Sequence, residues 1–588
     1  MCGIVGYIGK NKASEILIRC LKNLEYRGYD SAGIALLNNK IIKIIKGVGK
    51  VNDVFSEDTS KLDGNIGIAH SRWATHGKVT PSNAHPHISN DEKIAVVHNG
   101  IIENYQELKS NLEKEGYKFK SETDTEIIPI LIQRYKERGK SDEEAIKLTI
   151  KQLKGSFALG ILFQDEEKLF AVKKESPLVV GIAKDGFFIA SDIPSFIEYT
   201  KNVVFLQDYD LVTLTYDNLS IFNIEENIPV KRPINTIQWD LEQVQKGNFE
   251  HFMIKEILEQ VEIAKKIFNQ EEKFFEIAQI ISKAKEIYLI AAGSSFHACL
   301  TAKYLFSKIA KIKVNLCLAS EFKQIQDFIN KDSLVMAVSQ SGETADVLSA
   351  VKIAKEKEAK IIAITNNQGS SLIRYSDQYI LQNAGPELCV LATKTYTSQL
   401  IIFLMLVYTL AQKYEEGKDK LFSLTRHIYN LTSENTHNAI KNLAEKLRHV
   451  NHIYLIGRDL QYPTALEAAL KIKEASYIHA EGFAGGELKH GSIALIEFGT
   501  PCIVFLSKET ENEIISNATE LKARGAYLIG VGPEKNPIFD FFIKVREAEE
   551  SNPICQIIPI QILAYRLAIL RGHNPDKPRN LAKSVTVK

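Results

Sequence analysis

The chain opens with MCGIVGYIG, residues 1–9, in which a cysteine at position 2 precedes a run of strand-forming residues interrupted by glycines. Removal of Met1 would leave Cys2 as the first residue, with a thiol and a free α-amine on one residue. A thiol is only slightly ionised at pH 7 and needs a base, and an α-amine with a pKa of about 7.7–8.0 suits that proton transfer. Cys2 is therefore a candidate self-activating nucleophile. The alternative is a small buried hydrophobe at the start of a strand.

Short β-type runs bounded by Gly, Asn or Asp continue to about residue 235. Two stretches between them, 104–116 and 125–139, have helical spacing, and each ends with a glycine. Many antiparallel strands with a few helices predict sheets covered by helices. We therefore expect an α+β layered domain over residues 1–235.

The second part of the chain has a different pattern. Pro229 and Pro233 precede a long helical pattern, which predicts a linker and lead helix over 236–278. Beyond it, strands alternate with helices as in parallel α/β units, and EIYLIAAGSS from Glu286 resembles HIYLIGRDL from His452. Two doubly wound domains in tandem explain this repeat better than one sheet of more than about ten strands. Their predicted bounds are 279–415 and 446–568, followed by a polar tail over 569–588.

Composition limits the classes of function. The 588 residues are 45% hydrophobic and 25% charged with a net charge of +1, which fits a soluble protein of three to four domains and gives no support for a nucleic-acid partner. Seven dispersed cysteines without CxxC pairs argue against a disulfide framework and favour the cytoplasm. The apolar run 400–411 is shorter than the roughly 18–20 residues that span a bilayer, so we expect a buried core helix and no membrane partner.

Four further segments accompany Cys2. They are EYRGYDSAG (25–33), HSRWATHG (70–77), HNGIIEN (98–104) and SETDTE (121–126). Each alone is no more than a polar turn. Together with Cys2 they resemble the glutaminase domain of the class II amidotransferases, which are N-terminal nucleophile hydrolases with αββα layers. The resemblance covers the whole predicted first domain.

This resemblance implies that the domain takes ammonia from glutamine, with Cys2 as the nucleophile. It assigns the oxyanion to the Asn99 side chain and the Gly100 amide, and one such donor is worth about 3–4 kcal/mol. A guanidinium, Arg72, suits the α-carboxylate of glutamine, and a carboxylate, Asp124, suits its α-ammonium. The other glutamine-site residues that the resemblance implies are Arg27, Trp73, Thr75 and His76. The spacing of His76, His85, His87 and His98 is irregular, so we expect no metal.

The segment SQSGET, residues 339–344, lies between a predicted strand and a predicted helix. Hydroxyls and backbone N–H groups at a helix N-terminus form an anion cradle, and without a Walker-type lysine a sugar phosphate is favoured over a nucleotide. The alternative is a Ser/Thr capping box. The segment resembles the phosphate loop of sugar isomerase (SIS) domains. The sugar-phosphate contacts implied by that resemblance are Ser295, Ser339, Gln340, Ser341, Thr344 and Val390. Ala392 stands where the family typically has a serine, so one sugar contact is in question.

Further along, Glu467, Lys471 and Glu474 are spaced i, i+4 and i+7, so they share one face of a helix that Pro463 is predicted to start. A solvated ladder of ion pairs is one interpretation. The SIS resemblance instead implies that Glu474 is the base that moves a proton between C1 and C2 of the opened sugar, with Lys471 beside it.

The closing segment PRNLAKSVTVK contains Lys583. Deprotonating a lysine at pH 7 costs about 4–5 kcal/mol unless burial or a nearby charge such as Arg579 offsets it, and most lysines in tails are solvated. This segment, however, resembles the tail of the amidotransferases that aminate fructose 6-phosphate, in which the lysine forms a Schiff base with the ketose. The resemblance then spans the whole chain.

The family resemblance implies a two-site enzyme with glutamine and fructose 6-phosphate as substrates and no cofactor or metal. Ammonia would pass through an internal channel with Trp73 as its gate. The family's ring-opening histidine, here His490, comes from the partner subunit, which implies a homodimer.

Two other functions make different demands on the sequence. A different class II amidotransferase should carry an acidic diphosphate-binding run or a loop such as SGGxDS, and neither is found. A sugar-phosphate sensor that keeps the SIS fold only for binding should have lost Glu474, His490 or Lys583, and all three are present. The sequence therefore favours the enzyme.

Overall fold

The structure is a computed structural model that describes residues 2–55, 63–73, 77–237, 239 and 241–586. The chain divides into two compact units. The first comprises Met1–Gln245 and Ala582–Lys588, and the second comprises Lys246–Leu581.

The first unit is built mainly of strands. Its strands are β1 (Gly3–Gly9), β2 (Ser31–Asn38), β3 (Ile41–Val48), β4 (Ile66–Arg72), β5 (His87–Ile88), β6 (Ile94–Ile102), β7 (Gly155–Phe163), β8 (Leu169–Lys174), β9 (Val179–Ala183), β10 (Gly186–Ala190), β11 (Asn202–Phe205), β12 (Asp210–Leu214), β13 (Leu219–Asn223), β14 (Ile228–Pro229) and β15 (Ile234–Thr236). Its helices are α1 (Ala13–Leu24), α2 (Val51–Val54), α3 (Tyr105–Lys114), α4 (Ile127–Glu137), α5 (Asp142–Ile150) and α6 (Leu241–Val244).

These strands form two antiparallel sheets, ordered β15-β11-β9-β10-β1-β4-β2-β3 and β14-β13-β12-β8-β7-β6-β5. Successive residues of β1 alternate between two cores, as the period of two in a strand requires. Ile4 and Ile8 face the core shared by the two sheets, whereas Val5 and Tyr7 face the core that α1 covers. Helices α3, α4 and α5 cover the outer face of the second sheet. The layers are therefore helix, sheet, sheet, helix, which confirms the predicted αββα arrangement.

The second unit alternates helices with strands. Its helices are α7 (Phe252–Leu258), α8 (Gln260–Ile267), α9 (Glu271–Lys283), α10 (Gly293–Leu305), α11 (Ala345–Glu356), α12 (Ser371–Tyr375), α13 (Lys394–Leu410), α14 (Tyr414–Leu431), α15 (Glu434–Leu447), α16 (Gln461–Ser476), α17 (Glu511–Lys522) and α18 (Asn552–Leu570). Its strands are β16 (Glu286–Ala291), β17 (Asn315–Leu318), β18 (Ser333–Ser339), β19 (Lys360–Thr365), β20 (Gln378–Leu381), β21 (His452–Gly457), β22 (His479–Ala484), β23 (Pro501–Phe505), β24 (Tyr527–Gly532) and β25 (Phe541–Lys544).

Two parallel five-stranded sheets organise this unit, in the orders β17-β16-β18-β19-β20 and β22-β21-β23-β24-β25. The two repeated segments form β16 and β21, and each is the second strand of its sheet. This confirms the two doubly wound domains. The helix α16 begins at Gln461, two residues before Pro463, so the proline lies in the first turn and does not start the helix.

Residues 400–410 of the apolar run lie in α13 and Ala411 is its C-cap; the residues of this helix are almost all buried, which confirms the predicted core helix. Among the described residues one helical stretch, Glu549–Leu570, is long and apolar enough to cross a membrane, with a mean hydropathy of 1.6. However, 83% of its apolar window is buried inside the fold, as is typical of a core helix.

Candidate active sites

Cys2 precedes β1 and is half-buried. The N–H of Trp73 donates a hydrogen bond to its Sγ at 3.2 Å, and Nε of Arg27 donates to its carbonyl oxygen at 3.3 Å. Burial raises the pKa of the Cys2 thiol, against the lowering effects of the Trp73 hydrogen bond and the charges of Arg72 and Arg27. A thiol in this setting depends on a base to become a nucleophile.

Asn99 in β6 is held on both sides of its carboxamide. Its Nδ2 donates to the carbonyl oxygen of Cys2 at 2.9 Å and to Oγ of Ser191 at 2.8 Å. Nε2 of His70 lies 3.0 Å from Asn99 Oδ1 and 3.0 Å from the carbonyl oxygen of His98. Both of these atoms are acceptors, so the proton of His70 is on Nε2. Burial lowers the pKa of His70 to about 3, so the ring is neutral and acts as a donor.

Gly100, the next residue of β6, has a backbone that other residues do not adopt without strain. Its φ is +121°, and a Cβ there would lie 2.0 Å from the carbonyl oxygen of Ser156 on the paired strand. Only glycine fits this close approach of the two strands.

Arg72 and Asp124 are both buried. Arg72 ends β4 and donates to the carbonyl oxygens of Lys78 at 3.3 Å and Gly77 at 3.4 Å. Burial lowers the pKa of Arg72, and negative charge on neighbouring groups, including Asp124, opposes that shift. Asp124 begins a 3-10 turn and accepts the N–H of Ile102 at 2.8 Å. The guanidinium of Arg72 and the carboxylate of Asp124 are therefore close enough to influence each other's charge.

Arg27 forms an ion pair with Asp192, which no motif in the sequence marked. Its guanidinium lies 3.2 Å from the carboxylate of Asp192, which also accepts the hydroxyl of Tyr26 at 2.6 Å. The ring of Trp73 packs edge-on against Tyr29, with centroids 5.3 Å apart. Two predicted residues, Thr75 and His76, lie outside the described residues.

Buried imidazoles form a cluster beside Asn99. The rings of His70 and His85 stack with centroids 4.1 Å apart, and His87 packs edge-on against His85 at 4.8 Å. Burial lowers the pKa of His85 and of His87 well below the usual value, and Nε2 of His87 lies 3.0 Å from Oγ1 of Thr123. These neutral rings support the site by hydrogen bonds and packing, and the described residues include no group arranged to hold a metal.

In the first of the two parallel-sheet domains, SQSGET connects β18 to α11. Oγ of Ser339 lies 2.9 Å from Oγ1 of Thr344 and accepts the N–H of Gly342 at 3.1 Å. Oγ of Ser341 accepts the N–H of Glu343 at 3.1 Å. Thr344 is the N-cap of α11 but makes no capping hydrogen bond with its side chain, so the capping-box alternative is wrong. The hydroxyls instead gather around the loop at the start of the helix.

This loop packs closely on its neighbour. Gly342 has a φ of +66°, and a Cβ there would lie 2.3 Å from Oγ of Ser370. The carbonyl oxygen of Gln340 accepts the N–H of Asn366 at 3.0 Å. The backbone of the loop is therefore tied to the loop that follows β19.

Val390 lies in a loop that two buried carboxylates hold. Glu256 accepts the N–H of Cys389 at 3.1 Å, and Glu387 accepts the N–H of Thr393 at 3.0 Å. Sequence reasoning missed both glutamates, because a carboxylate that binds a distant backbone has no characteristic spacing.

Lys471 is fully buried on α16. Its Nζ lies 3.4 Å from Oε1 of Glu467 and 2.6 Å from Oε2 of Glu474, and it donates to Oγ of Ser294 at 3.1 Å. Burial alone lowers the pKa of Lys471, but the two carboxylates raise it above its usual value. Glu467 is fully buried and Glu474 is 20% exposed, so the interpretation as a solvated ladder is wrong.

Helix α10 of the first parallel-sheet domain meets α16 of the second. Nδ1 of His297 on α10 lies 2.8 Å from Oε2 of Glu467, next to the bond between Ser294 and Lys471. Ser295 follows on the same helix and accepts Nε2 of Gln399 at 3.0 Å. A predicted phosphate contact thus adjoins the helix that carries the predicted base. His297 was missed because its partner is 170 residues away in the chain.

The last two predicted catalytic residues are His490 and Lys583. His490 ends a 3-10 turn over Glu487–His490 and is exposed. Lys583 lies in Ala582–Lys588, the stretch that groups with the first unit. Their catalytic roles remain predictions.

The second parallel-sheet domain has a loop that corresponds to SQSGET but differs in charge. The residues SKET, 507–510, follow β23, and Oγ of Ser507 lies 3.0 Å from Oγ1 of Thr510. The N–H of Lys508 donates to the carboxylate of Glu547 at 3.0 Å. A carboxylate of the chain therefore occupies a backbone donor that a phosphate would need.

Comparison with known proteins agrees with this division. The SIS domain family matches residues 280–409 and 446–571, and the glutamine amidotransferase domain family matches 70–198. A glutamine–fructose-6-phosphate aminotransferase [isomerizing] of Pyrococcus horikoshii is 44% identical over 597 residues, and one of Clostridium perfringens is 41% identical over 618, each over the full length of both chains.

Among solved structures, the C-terminal domain of glucosamine-fructose-6-phosphate aminotransferase from Francisella tularensis is 32% identical. It covers 56% of this chain and 99% of its own, with a TM-score of 0.51. Since the similarity to the curated relatives extends over the whole sequence, the chain belongs to the family of isomerizing glutamine–fructose-6-phosphate aminotransferases.

Proposed function

We propose that this chain converts glutamine and fructose 6-phosphate to glutamate and glucosamine 6-phosphate, the first step of amino-sugar synthesis toward UDP-N-acetylglucosamine. The observation that carries the proposal is the contact between α10 and α16. Lys471 pairs with Glu474 and bonds to Ser294, beside the proposed phosphate contact Ser295. An anion site and an acid–base pair thus adjoin each other within one unit, as an isomerisation of a sugar phosphate requires.

At the first site, Sγ of Cys2 attacks the side-chain amide carbon of glutamine. The α-amine freed by removal of Met1 takes the thiol proton and delivers it to the leaving ammonia, and water then hydrolyses the thioester to glutamate. Asn99 and Gly100 stabilise the oxyanion. The contacts of His70 with Asn99 support this role, since they fix the carboxamide beside Cys2.

The proposed glutamine pocket matches charged side chains to the charged groups of the substrate. Arg72 pairs with the α-carboxylate of the substrate, Asp124 pairs with its α-ammonium, and Arg27 orders the backbone at Cys2. Trp73 gates an internal channel that delivers ammonia without exposure to bulk water. Two more residues are assigned to this pocket by similarity alone, Thr75 and His76.

At the second site the phosphate of the sugar lies in the cradle of the first SIS domain. The proposed contacts are Ser295, Ser339, Gln340, Ser341, Thr344 and Val390. Lys583 forms a Schiff base at C2 of the opened ketose, ammonia displaces the lysine to give an imine, and Glu474 carries a proton from C1 to C2. Lys471 positions the carboxylate of Glu474 for this transfer, since its Nζ lies 2.6 Å from Oε2 of Glu474.

We also propose a cytoplasmic homodimer in which His490 acts across the interface to assist ring opening. The exposure of His490 supports this role, because an exposed side chain is accessible to a second copy. None of the seven cysteines, all of which lie among the described residues, forms a disulfide, which supports a reducing compartment.

The test is incubation of the mature chain with glutamine and fructose 6-phosphate, followed by mass analysis of the products and of the N-terminus. Cys2→Ala should abolish glutamine hydrolysis and synthesis but leave isomerisation of the sugar phosphate. Cys317→Ala, which changes another partly exposed cysteine, is the matched control. Synthesis from glutamine by the Cys2→Ala variant, or an active chain that retains Met1, would refute the proposal.

A further inference from the structure

A cavity of about 410 Å³ lies in the second unit between α14, α15, β25 and α18. It includes none of the residues proposed for either reaction. The polar and sulfur-containing side chains that line it are His427, Asn430, Thr436, Lys544, Arg546 and Cys555.

Two strong cations, Lys544 and Arg546, line this cavity. Lys544 is the last residue of β25, Arg546 follows two residues later, and both are exposed. Within the part of the chain that the structure describes, neither forms an ion pair, and no carboxylate lines the cavity. Cations that converge on a concave surface attract and hold an anion, because the low-dielectric walls strengthen their field.

His427 on α14 gives a second and independent indication. Its Nδ1 is buried and has no hydrogen-bond partner among the described residues. Burial lowers the pKa of His427 and the charge of Arg546 lowers it further, so the ring is neutral in the field of that arginine. An unpaired buried polar atom costs about 1–3 kcal/mol, and a ligand oxygen that accepts an N–H from this ring would remove that cost.

The other walls suit an organic phosphate. Thr436 lies in the first turn of α15, whose N-cap Ser433 makes no capping bond with its side chain, so the start of this helix contributes further positive potential. Leu431, Val545 and Cys555 are buried and give the cavity an apolar side. The volume exceeds that of a phosphate ion alone and lies within the range of about 300–1,000 Å³ for small-molecule sites.

We propose that this cavity binds a small phosphorylated metabolite. The phosphate lies between Lys544 and Arg546 within reach of His427, and the organic part packs on Leu431 and Val545. The proposal does not depend on the proposed function, because it concerns another loop and another domain from the SQSGET cradle.

The experiment separates this site from the cradle. Binding of glucosamine 6-phosphate, inorganic phosphate and unphosphorylated glucosamine is measured by calorimetry on the full chain carrying Ser341→Ala and Thr344→Ala, which weaken the cradle. We expect both phosphate compounds to bind with one site per chain, the sugar phosphate more tightly, and glucosamine not to bind. If neither phosphate compound binds at millimolar concentration, or if glucosamine binds equally well, the proposal is wrong.

Two further variants in that background test the assignment of residues. Lys544→Gln with Arg546→Gln should weaken binding at least tenfold, whereas Lys544→Arg with Arg546→Lys should retain it. The matched control, Lys357→Gln with Lys535→Gln, removes two exposed cations elsewhere in the second unit and should leave affinity unchanged. Hydrogen exchange along α14 and α18, compared with the parent chain, reports that the second unit of each variant is folded. Equal affinity in the Gln pair and in the control would overturn the assignment.

Discussion

The glutaminase site and the sugar-phosphate site both contain buried polar side chains, but they keep them in different charge states. Around Asn99, burial holds His70 and its neighbouring imidazoles neutral, and they act through hydrogen bonds and stacking. On α16, Glu467 and Lys471 are equally buried and remain charged because they pair. A neutral network depends on geometry, whereas a charged network depends on every member being present. The two sites should therefore respond differently to substitution and to pH.

The largest expected effect is on the charged site. Glu474→Gln keeps the size of the side chain but removes the proposed base, and a positioned base contributes about 10²–10⁴-fold to a rate. Conversion of fructose 6-phosphate should fall by that factor while hydrolysis of glutamine alone stays unchanged, as measured by product and glutamate release. Glu356→Gln, at the exposed end of α11, is the control. An equal fall in both activities would contradict the separation of the two sites.

Removal of one charged member of the buried ion pairs should also lower the stability of α16. Lys471→Met leaves the buried carboxylate of Glu467 without its ammonium partner, which should destabilise α16 by about 3–5 kcal/mol. Hydrogen exchange along α16 measures this local free energy of opening. The double variant Glu467→Gln/Lys471→Met should be less destabilised than the single variant, because both charges are gone. A double variant that is less stable than Lys471→Met would refute the charged-network account.

A smaller effect should follow from Gly342→Ala in the proposed phosphate loop. The substitution combines a left-handed backbone with a contact of 2.3 Å to Ser370, and strain of this kind costs about 1–3 kcal/mol. The KM for fructose 6-phosphate should rise about 5- to 150-fold, with glutamine hydrolysis unchanged. Gly499→Ala is the matched control, since its φ is +81° and its Cβ would meet nothing within 4 Å. A similar KM in both variants would show that the loop does not bind the sugar phosphate.

The smallest expected effect is a difference between the two sites in how local stability depends on pH. The pKa of His70 is lowered from 6.5 to about 3 by burial, so between these values the unfolded state binds more protons and the stability of the first unit rises with pH. For Glu467, burial raises the pKa, but Lys471 and His297 lower it below 4.5, so its contribution is present above pH 4.5 and is lost only at lower pH.

When hydrogen exchange is measured between pH 7 and 4.5, the protection of backbone amides should therefore decrease in β6, which carries Asn99, and stay unchanged in α16. His70→Gln keeps a hydrogen-bond donor without the titratable ring and should reduce the pH dependence in β6. If α16 weakens first as the pH falls, the assigned charge states are wrong.

Sequence patterns predicted most of the fold, because the signals that form strands and helices are local. The alternation in β1 and the glycines after α3 and α4 specify those elements within a few residues. The repeat at Glu286 and His452 predicted the two parallel sheets, since both segments form the same strand of their sheets. The predicted start of α16 at Pro463 was wrong by two residues, because a proline is accepted anywhere in the first turn of a helix.

The site was less accessible to sequence reasoning. Cys2 and SQSGET stand out as motifs, but Asp192, Glu256, Glu387 and His297 act on partners far away in the chain. No spacing rule marks such residues, because they meet their partners only when the elements pack.

The sequence by itself determined the order of the domains and the family, and it predicted the residues proposed as nucleophile, cradle and base, since each depends on local periodicity or on a contiguous motif. Only the tertiary structure decided which of these groups are charged. Lys471 is an ionised lysine inside the fold, and His70 is a neutral imidazole, because the pKa of a buried group depends on its distance to partners that the chain brings together from far apart.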